Sequence, residues 1–392
     1  MKKRLVAVLM TAAMVCSMGS VSAVSVFAEE ETAEAAGDED VVYVDPLEAE
    51  DGLPFAATEL SKGKTIGVSV QTHANAFFLA EIDGVKATLE KGGIDAEVIA
   101  PDPANDINTQ VEDITQMVAR GVDVIFVDAL DKDGIKPALQ EAERASIPVI
   151  AIDSNVEDKD LIASIVESDN VAMGKMAAQT LCDSIDGEGE IVVINWSTLQ
   201  AVRERVEGLK SVIEESYPNV EIVADQDAFG VVEDAQSIME SFLQTYPDVK
   251  GVFAINSPTA QGAAAAIKAA GLEGKISVVD IDGAQNDIDM IKEGQILCSP
   301  VQFPKTIANK AMECAELIWA GKEDEVAKHY YVSGDNITEE NLDQPAVWVS
   351  GKLLAAVGGK GNGSLPCDGS VRWNFCIPVS VWSYSVDESP VS

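Results

Sequence analysis

Histidine is almost missing from this sequence: His73 and His329 are the two in 392 residues. The cysteine spacings match no zinc pattern either, so no metal site and no cofactor are expected. Positive charge is also scarce. Lys and Arg number 27 against 66 Asp and Glu, a formal net charge of −39. That excess of acid argues against nucleic acid and anionic membrane as partners, and suits solubility outside the cell. After the N-terminal segment no apolar run reaches the roughly 18 residues of a spanning helix. No P-loop, dinucleotide fingerprint or nucleophile elbow is present, which removes the common signatures of α/β enzymes.

What is present centres on Lys64–Phe78, KTIGVSVQTHANAFF. Apart from Gly67, Thr65–Val70 is mostly β-branched and reads as a strand covered on both faces. A polar loop with Gln71, Thr72, His73 and Asn75 follows. A helix comes next, with Phe77, Phe78, Ile82, Val85 and Leu89 at three- and four-residue spacings. Strand, loop and helix make the first half of a βαβ unit, and the loop falls where open α/β sheets bind ligands. A nucleotide fold would place glycines here to bring backbone against phosphate. This loop has none. It offers hydrogen-bonding side chains beside flat apolar rings, which suits a neutral polyol better than a phosphate.

The chain opens with a basic Met1-Lys-Lys-Arg4, an apolar Leu5–Val15, and small residues with plausible cleavage after Ala23 or Ala28. Residues 1–28 read as a secretory signal peptide, so export to the periplasm or the cell surface is expected. Cys16 invites a lipoprotein reading, but Val15 is not the small residue that would precede a lipidated cysteine. Residues 29–52 hold eleven acids and no Lys or Arg. The stretch 29–62 reads as an acidic, disordered spacer.

From about Gly63 strand-like runs alternate with amphipathic helical stretches. The strands are expected at Thr65–Val70, Ala96–Ala100, Val122–Val127, Val149–Ile152, Ile191–Ile194, Val220–Ala224, Gly251–Ile255 and Ser277–Ile281. This alternation predicts α/β architecture, a parallel sheet with helices on both faces. Eight strands over some 270 residues exceed the usual single domain, so two are expected. The halves also look alike. Ile147–Asp153 and Ile276–Asp282 each end a strand in an aspartate. Two similar doubly wound lobes follow from this pattern.

The strand ends carry a consistent polar set: Gln71, Asn75, Asp153, Arg203, Asn256, Asp282 and Gln302, with Phe77, Phe78 and Phe229 as apolar walls. Singly, each has a plain structural reading. Asp153 and Asp282 suit helix caps, and Arg203 suits surface pairing within its own helix. Together they describe a polar cleft. A carboxylate accepts from two adjacent hydroxyls, amides both give and accept, and a guanidinium donates in a fixed fork. Trp196 suits either a stacking face or a core.

At these residues the chain resembles a periplasmic sugar-binding protein of the ribose-binding family, from Lys64 to about Gln344. The motifs are Asn75-Ala-Phe77-Phe78, Asp153 after the fourth strand, Ala201-Val-Arg203-Glu-Arg205, Ala228-Phe229, Phe253-Ala-Ile-Asn256-Ser257, Ile281-Asp282-Gly283 and Gln302-Phe-Pro304. Three positions depart. Ser154 stands where the family's ribose binders have Arg, Gln71 where they have Ser, and Ser257 where they have Asp. The lost arginine weakens the case for ribose itself. The resemblance implies ligand contacts from Gln71, Asn75, Phe77, Phe78, Asp153, Ser154, Arg203, Phe229, Asn256, Asp282 and Gln302; Arg205, half a turn further along the helix, is expected to point elsewhere. It also implies a type I periplasmic binding protein fold, a first lobe of 63–168 plus 303–333, and a second of 169–302 plus 334–344. Three crossings would form the hinge. A monomer delivering a sugar or polyol to a membrane permease of the ATP-binding-cassette type is expected, without catalysis. A sensor handing its ligand to a membrane receptor uses the same lobes. A glycoside hydrolase with Asp153 and Asp282 as acid and base is the alternative from another class.

Cys182, Cys298 and Cys314 read as small core residues. After about Gln344 the composition changes abruptly, and 345–392 form an atypical tail. There Cys367 and Cys376 are candidates to pair in an oxidising compartment.

Overall fold

The computed structural model describes residues 41–46, 53–332 and 334–342. The signal segment with Cys16, most of the acidic spacer, and the tail with Cys367 and Cys376 lie outside the described residues.

The chain begins with strand β1 (Val41–Val44), β2 (Thr65–Ser69) and helix α1 (Ala76–Gly92). It continues through β3 (Glu97–Ile99), α2 (Ile107–Arg120), β4 (Val124–Val127), α3 (Lys136–Arg144), β5 (Val149–Ile152) and β6 (Ser164–Ser168). Then come α4 (Asn170–Ser184), β7 (Glu188–Asn195), α5 (Gln200–Ser216), β8 (Asn219–Asp227), α6 (Val232–Thr245), β9 (Val249–Ala254), α7 (Ser257–Ala269) and β10 (Ser277–Val279). The last described elements are α8 (Gln285–Lys292), β11 (Cys298–Pro300), α9 (Pro304–Trp319), β12 (His329–Val332) and β13 (Asn336–Thr338).

One sheet has the order β1-β12-β6-β5-β4-β2-β3, a second β10-β9-β7-β8, and β11 pairs with β13 in a short ribbon. Both large sheets are parallel throughout. In each, the first strand of its βα series lies between the second and the third, so the two lobes repeat one winding. The chain passes between them after β6, after β11 and after β12. These are the three crossings of a type I periplasmic binding protein fold.

Alternation along the strands explains the layers. Val124 and Phe126 face α1 and α9, whereas Ile125 and Val127 face α2 and α3. All four residues of β4 are fully buried, as a strand needs when helices cover both faces. Each such side chain contributes roughly 1.5–3 kcal/mol by leaving water. The second lobe does the same. Ile191 and Val193 pack on α4 and α5, while Val192 and Ile194 pack on α6 and α7. Helices α4 and α5 approach unusually closely. A Cβ on Gly174 would lie 2.1 Å from the Arg205 carbonyl oxygen, and one on Gly208 2.3 Å from that of Val171. Only glycine allows this contact, and it fixes the backbone of α5 where Arg205 projects.

The structure corrects part of the expected spacer. Val41–Val44 is the edge strand β1, parallel to β12, with Val41 opposite His329 and Val44 opposite Val332. Residues 53–62 are fastened as well. Glu316 on α9 accepts from the Thr58 amide at 2.7 Å and from the Thr58 and Ser61 hydroxyls at 2.5 Å each. Asn309 bonds the Phe55 backbone in both directions. These partners lie more than 250 positions away, so local composition does not betray them. Strands β1, β6, β11, β12 and β13 were not anticipated either; all are short or lie beside the crossings.

Candidate binding site

The loops after β2, β4 and β5 of one lobe face those after β7, β9 and β10 of the other. This is the crevice outside the carboxyl ends of the strands, at the point where the winding reverses.

The second-lobe wall is built on Asp282 and Arg205, which are 4% exposed each. The Asp282 carboxylate accepts from the Ser257 amide at 3.0 Å and from Gln302 Nε2 at 2.7 Å. Arg205 lies 3.7 Å from it. The guanidinium is fixed by Nε donating to Asn170 Oδ1 at 2.9 Å and an Nη donating to the Ile255 carbonyl at 2.7 Å. Burial pushes the Asp282 carboxyl up, and Arg205, Ser257 and Gln302 pull it back. Asn256 caps α7, its Oδ1 accepting from the Thr259 amide at 3.1 Å. Gln302 also accepts from Ser168 Oγ at 3.0 Å, so it ties the end of β6 to Asp282 at two of the crossings.

The guanidinium is therefore not the one expected. Arg203 donates to the Ser197 carbonyl just before α5 at 2.6 Å and to Gln200 Oε1 in the first turn of α5 at 2.8 Å, and lines neither cavity. Arg205, read from sequence as pointing elsewhere, lines the pocket. A signal for this was available. Ala201, Val202, Arg205, Val206 and Leu209 form a buried stripe at three- and four-residue spacing, and Arg203 lies off it.

The first-lobe wall is made of Gln71, Asp153 and the layer behind them. Gln71 is fully buried and donates from Nε2 to Asp128 Oδ1 at 2.8 Å. Asp153 is 5% exposed, in the left-handed conformation with φ 56°. Its backbone amide donates to the Val166 carbonyl at 2.9 Å. Glu81 of α1, Asp128 and the hydroxyl of Ser154 are fully buried. Burial pushes Asp153 up to about 7, with Arg205 opposing and Asp282 and Glu204 adding to the rise. Burial, and then neighbouring carboxylates, hold Asp128 and Glu81 well above the ordinary range. Neither was singled out from sequence, because an acid in a helix or after a strand reads as surface or cap.

Two adjoining cavities, which share Asn75, Phe78, Trp196 and Asp282 in their walls, occupy the crevice. The inner one, about 30 Å³, is lined by Gln71, Asn75, Phe77, Phe78, Asp153, Trp196, Leu199, Ala201, Val202, Arg205, Asn256, Asp282 and Gln302. The outer one, about 410 Å³, lies between Thr72–Phe78 of one lobe and Trp196, Phe229–Glu233, Ser257 and Pro258 of the other. Phe77 and Phe78 pack edge to face with centroids 5.5 Å apart. Phe229 is 48% exposed, at φ 52°, and stands at the outer mouth instead of the inner wall. Trp196 is buried, as its core reading expects, and also lines both cavities. Ser154 lies behind the wall. Cys182, Cys298 and Cys314 are buried free thiols. Among the described residues no His, Cys, Asp and Glu group has the arrangement of a metal site.

Two wound lobes with polar strand ends converging on a shared crevice define a two-lobed solute-binding protein. The comparisons make this specific: the chain belongs to the periplasmic binding protein domain family, whose model matches residues 66–323. It is 31% identical over 259 residues to the ribose import binding protein of Bacillus subtilis, covering 66% of this chain and 82% of that one. It is 30% identical over 264 residues to a D-apiose import binding protein of Paraburkholderia graminis, covering 67% and 83%. A solute-binding protein of an ABC transporter from Actinobacillus succinogenes, solved with bound D-allose, superimposes with a TM-score of 0.66 at 28% identity, over 71% of this chain and 99% of that one.

Proposed function

We propose that this chain is an exported solute-binding protein that takes a sugar or sugar-like polyol between its lobes and delivers it to an ABC permease, without altering it. The observation that carries this is the convergence of Asp153 and Gln71 from one lobe on Arg205, Asn256 and Asp282 from the other. Carboxylate, amide and guanidinium groups at fixed positions match a ligand bearing several hydroxyls, and the phenylalanine rings match its apolar faces. The ligand contacts are Gln71, Asn75, Phe77, Phe78, Asp153, Asn256, Asp282 and Gln302, with Arg205 in place of Arg203. The relatives named above as import binding proteins support the transport role.

Catalysis by the Asp153–Asp282 pair is disfavoured by the bonding of Asp282. Its oxygens already accept from Ser257 and Gln302 and face Arg205, which leaves it poorly placed to exchange a proton. The inner pocket has about the volume of one water molecule. A sugar therefore enters by the lobe 63–168 with 303–333 swinging from the lobe 169–302 with 334–344, and the lobes close over it. A thermal-shift screen across pentoses, hexoses, alditols and their amino derivatives tests the assignment. A bound ligand raises the melting temperature by mass action. A flat response to every compound would refute the sugar-or-polyol reading.

A further inference from the structure

The two walls of the inner pocket differ in charge. On the second-lobe wall Asp282 has its own cation, Arg205, and both its oxygens are bonded. The first-lobe wall has acids without a cation of its own. Asp153, Asp128 and Glu81 are buried and, among the described residues, none of them is in an ion pair with a lysine, an arginine or a histidine. Among the described residues, Asp153 Oδ1, Asp128 Oδ2, both oxygens of Glu81 and Gln71 Oε1 find no hydrogen-bond partner. The Ser154 hydroxyl, buried nearby, is likewise without a partner among the described residues and carries no charge. Arg205, across the crevice, is the cation that reaches Asp128 and Asp153. It faces Asp282 at the same time, and Glu204 on its own helix adds a further acid near Asp153.

Of the five unpartnered acceptors, Asp153 Oδ1 and Gln71 Oε1 belong to residues that line the inner pocket. The orientation of Gln71 follows from its neighbour: Asp128 takes Nε2 at 2.8 Å, which leaves the carbonyl oxygen of the amide unused. This wall is thus two acceptors backed by two more buried carboxylates. Hydroxyl groups supply donors to it but no charge. An ammonium supplies three donors and the missing charge together.

We propose that the ligand is an amino sugar or aminopolyol whose protonated amine sits against Asp153 and Gln71, with its hydroxyls toward Arg205 and Asn256. This rests on the sugar-or-polyol reading and narrows it. The amine displaces protons that the buried acids otherwise hold, so binding near neutral pH releases protons to the buffer.

The test uses matched pairs in calorimetric titration: 2-amino-2-deoxyhexoses and 1-amino-1-deoxyalditols, each beside its neutral parent and its N-acetyl derivative. At least one amine is expected to bind ten-fold or more tightly than both. The heat should change between buffers of different ionisation enthalpy, showing proton release. Asp153→Asn should lower the ratio of amine to parent affinity at least five-fold. Glu81→Gln, behind the wall, should lower the same ratio less, and serves if the first variant does not fold. A neutral parent that binds as tightly as its amine, or an amine preference that survives both substitutions, overturns the inference and leaves the sugar reading standing. No binding by either series overturns the inference, and the sugar-or-polyol reading falls with it only when the thermal-shift screen is flat as well.

Discussion

Replacing Arg205 by alanine separates the two arginines of α5. Arg205 loses two hydrogen bonds from a charged donor, to Asn170 and to the Ile255 carbonyl, and leaves Asp282 without its facing cation. All these partners lie between positions 169 and 302, so the loss is felt by the second lobe whether or not ligand is present. Removing one member of a buried ion pair costs about 3–5 kcal/mol, because the other stays buried and uncompensated. Arg203→Ala removes bonds to Ser197 and Gln200 on a half-exposed turn, worth about 0.5 kcal/mol or less. Urea denaturation followed by circular dichroism gives both numbers, read as shifts in midpoint at constant slope. With the ligand found in the screen, Arg205→Ala should also weaken binding at least ten-fold, whereas Arg203→Ala should leave it within two-fold. Equal stability losses in the two variants, or a loss below about 1 kcal/mol for Arg205→Ala, would refute the assignment of the pocket guanidinium.

Other outcomes follow from the same geometry. Gly174→Ala drives a methyl into the Arg205 carbonyl. It should cost about 1–3 kcal/mol by overpacking and weaken ligand binding as α5 shifts, which denaturation and titration will read. Stability without ligand should fall as pH rises from about 4 to 7. Asp153 and Asp287, raised to about 7, and Asp128, Glu81, Glu167 and Asp280, raised well above the ordinary range, hold protons that the unfolded chain has already released. Ionising Asp153 alone costs on the order of 4 kcal/mol at 1.36 kcal/mol per pKa unit. His329, held down to about 4, opposes this by a single proton. Denaturation midpoints at pH 5 and 7.5 check the sign, and Glu81→Gln should flatten the slope. Small-angle scattering should show a smaller radius of gyration with ligand than without, if the lobes close.

The βα alternation was legible because the central strands are apolar on both faces and the helices beside them on one, as in β4 and α2. The doubling into two lobes was legible from the matched strands ending in Asp153 and Asp282. Most wall residues were legible too, since strand ends fix where a side chain arrives. What escaped depends on contacts distant in sequence. β1 is a strand because β12, almost 300 residues later, lies beside it. Arg205 was missed because the motif drew attention to Arg203, although the helical period around them pointed the other way. Glu81 and Asp128 were missed because an acid gives no local sign that its surroundings are closed to water.

The left-handed backbone at Asp153 and Phe229 bears on how such a pocket diverges between relatives. At φ 56° and 52° most side chains crowd their own carbonyl, and Asn, Asp and Gly are the residues that settle there with least strain. Asp153 therefore sits at a position with a short menu of replacements, so a change of ligand preference is more easily reached at Gln71, which lines the same wall on ordinary backbone. The pocket in this view has a fixed anchor and variable flanks. A library randomised at Gln71 would then return folded proteins with new preferences more often than one randomised at Asp153.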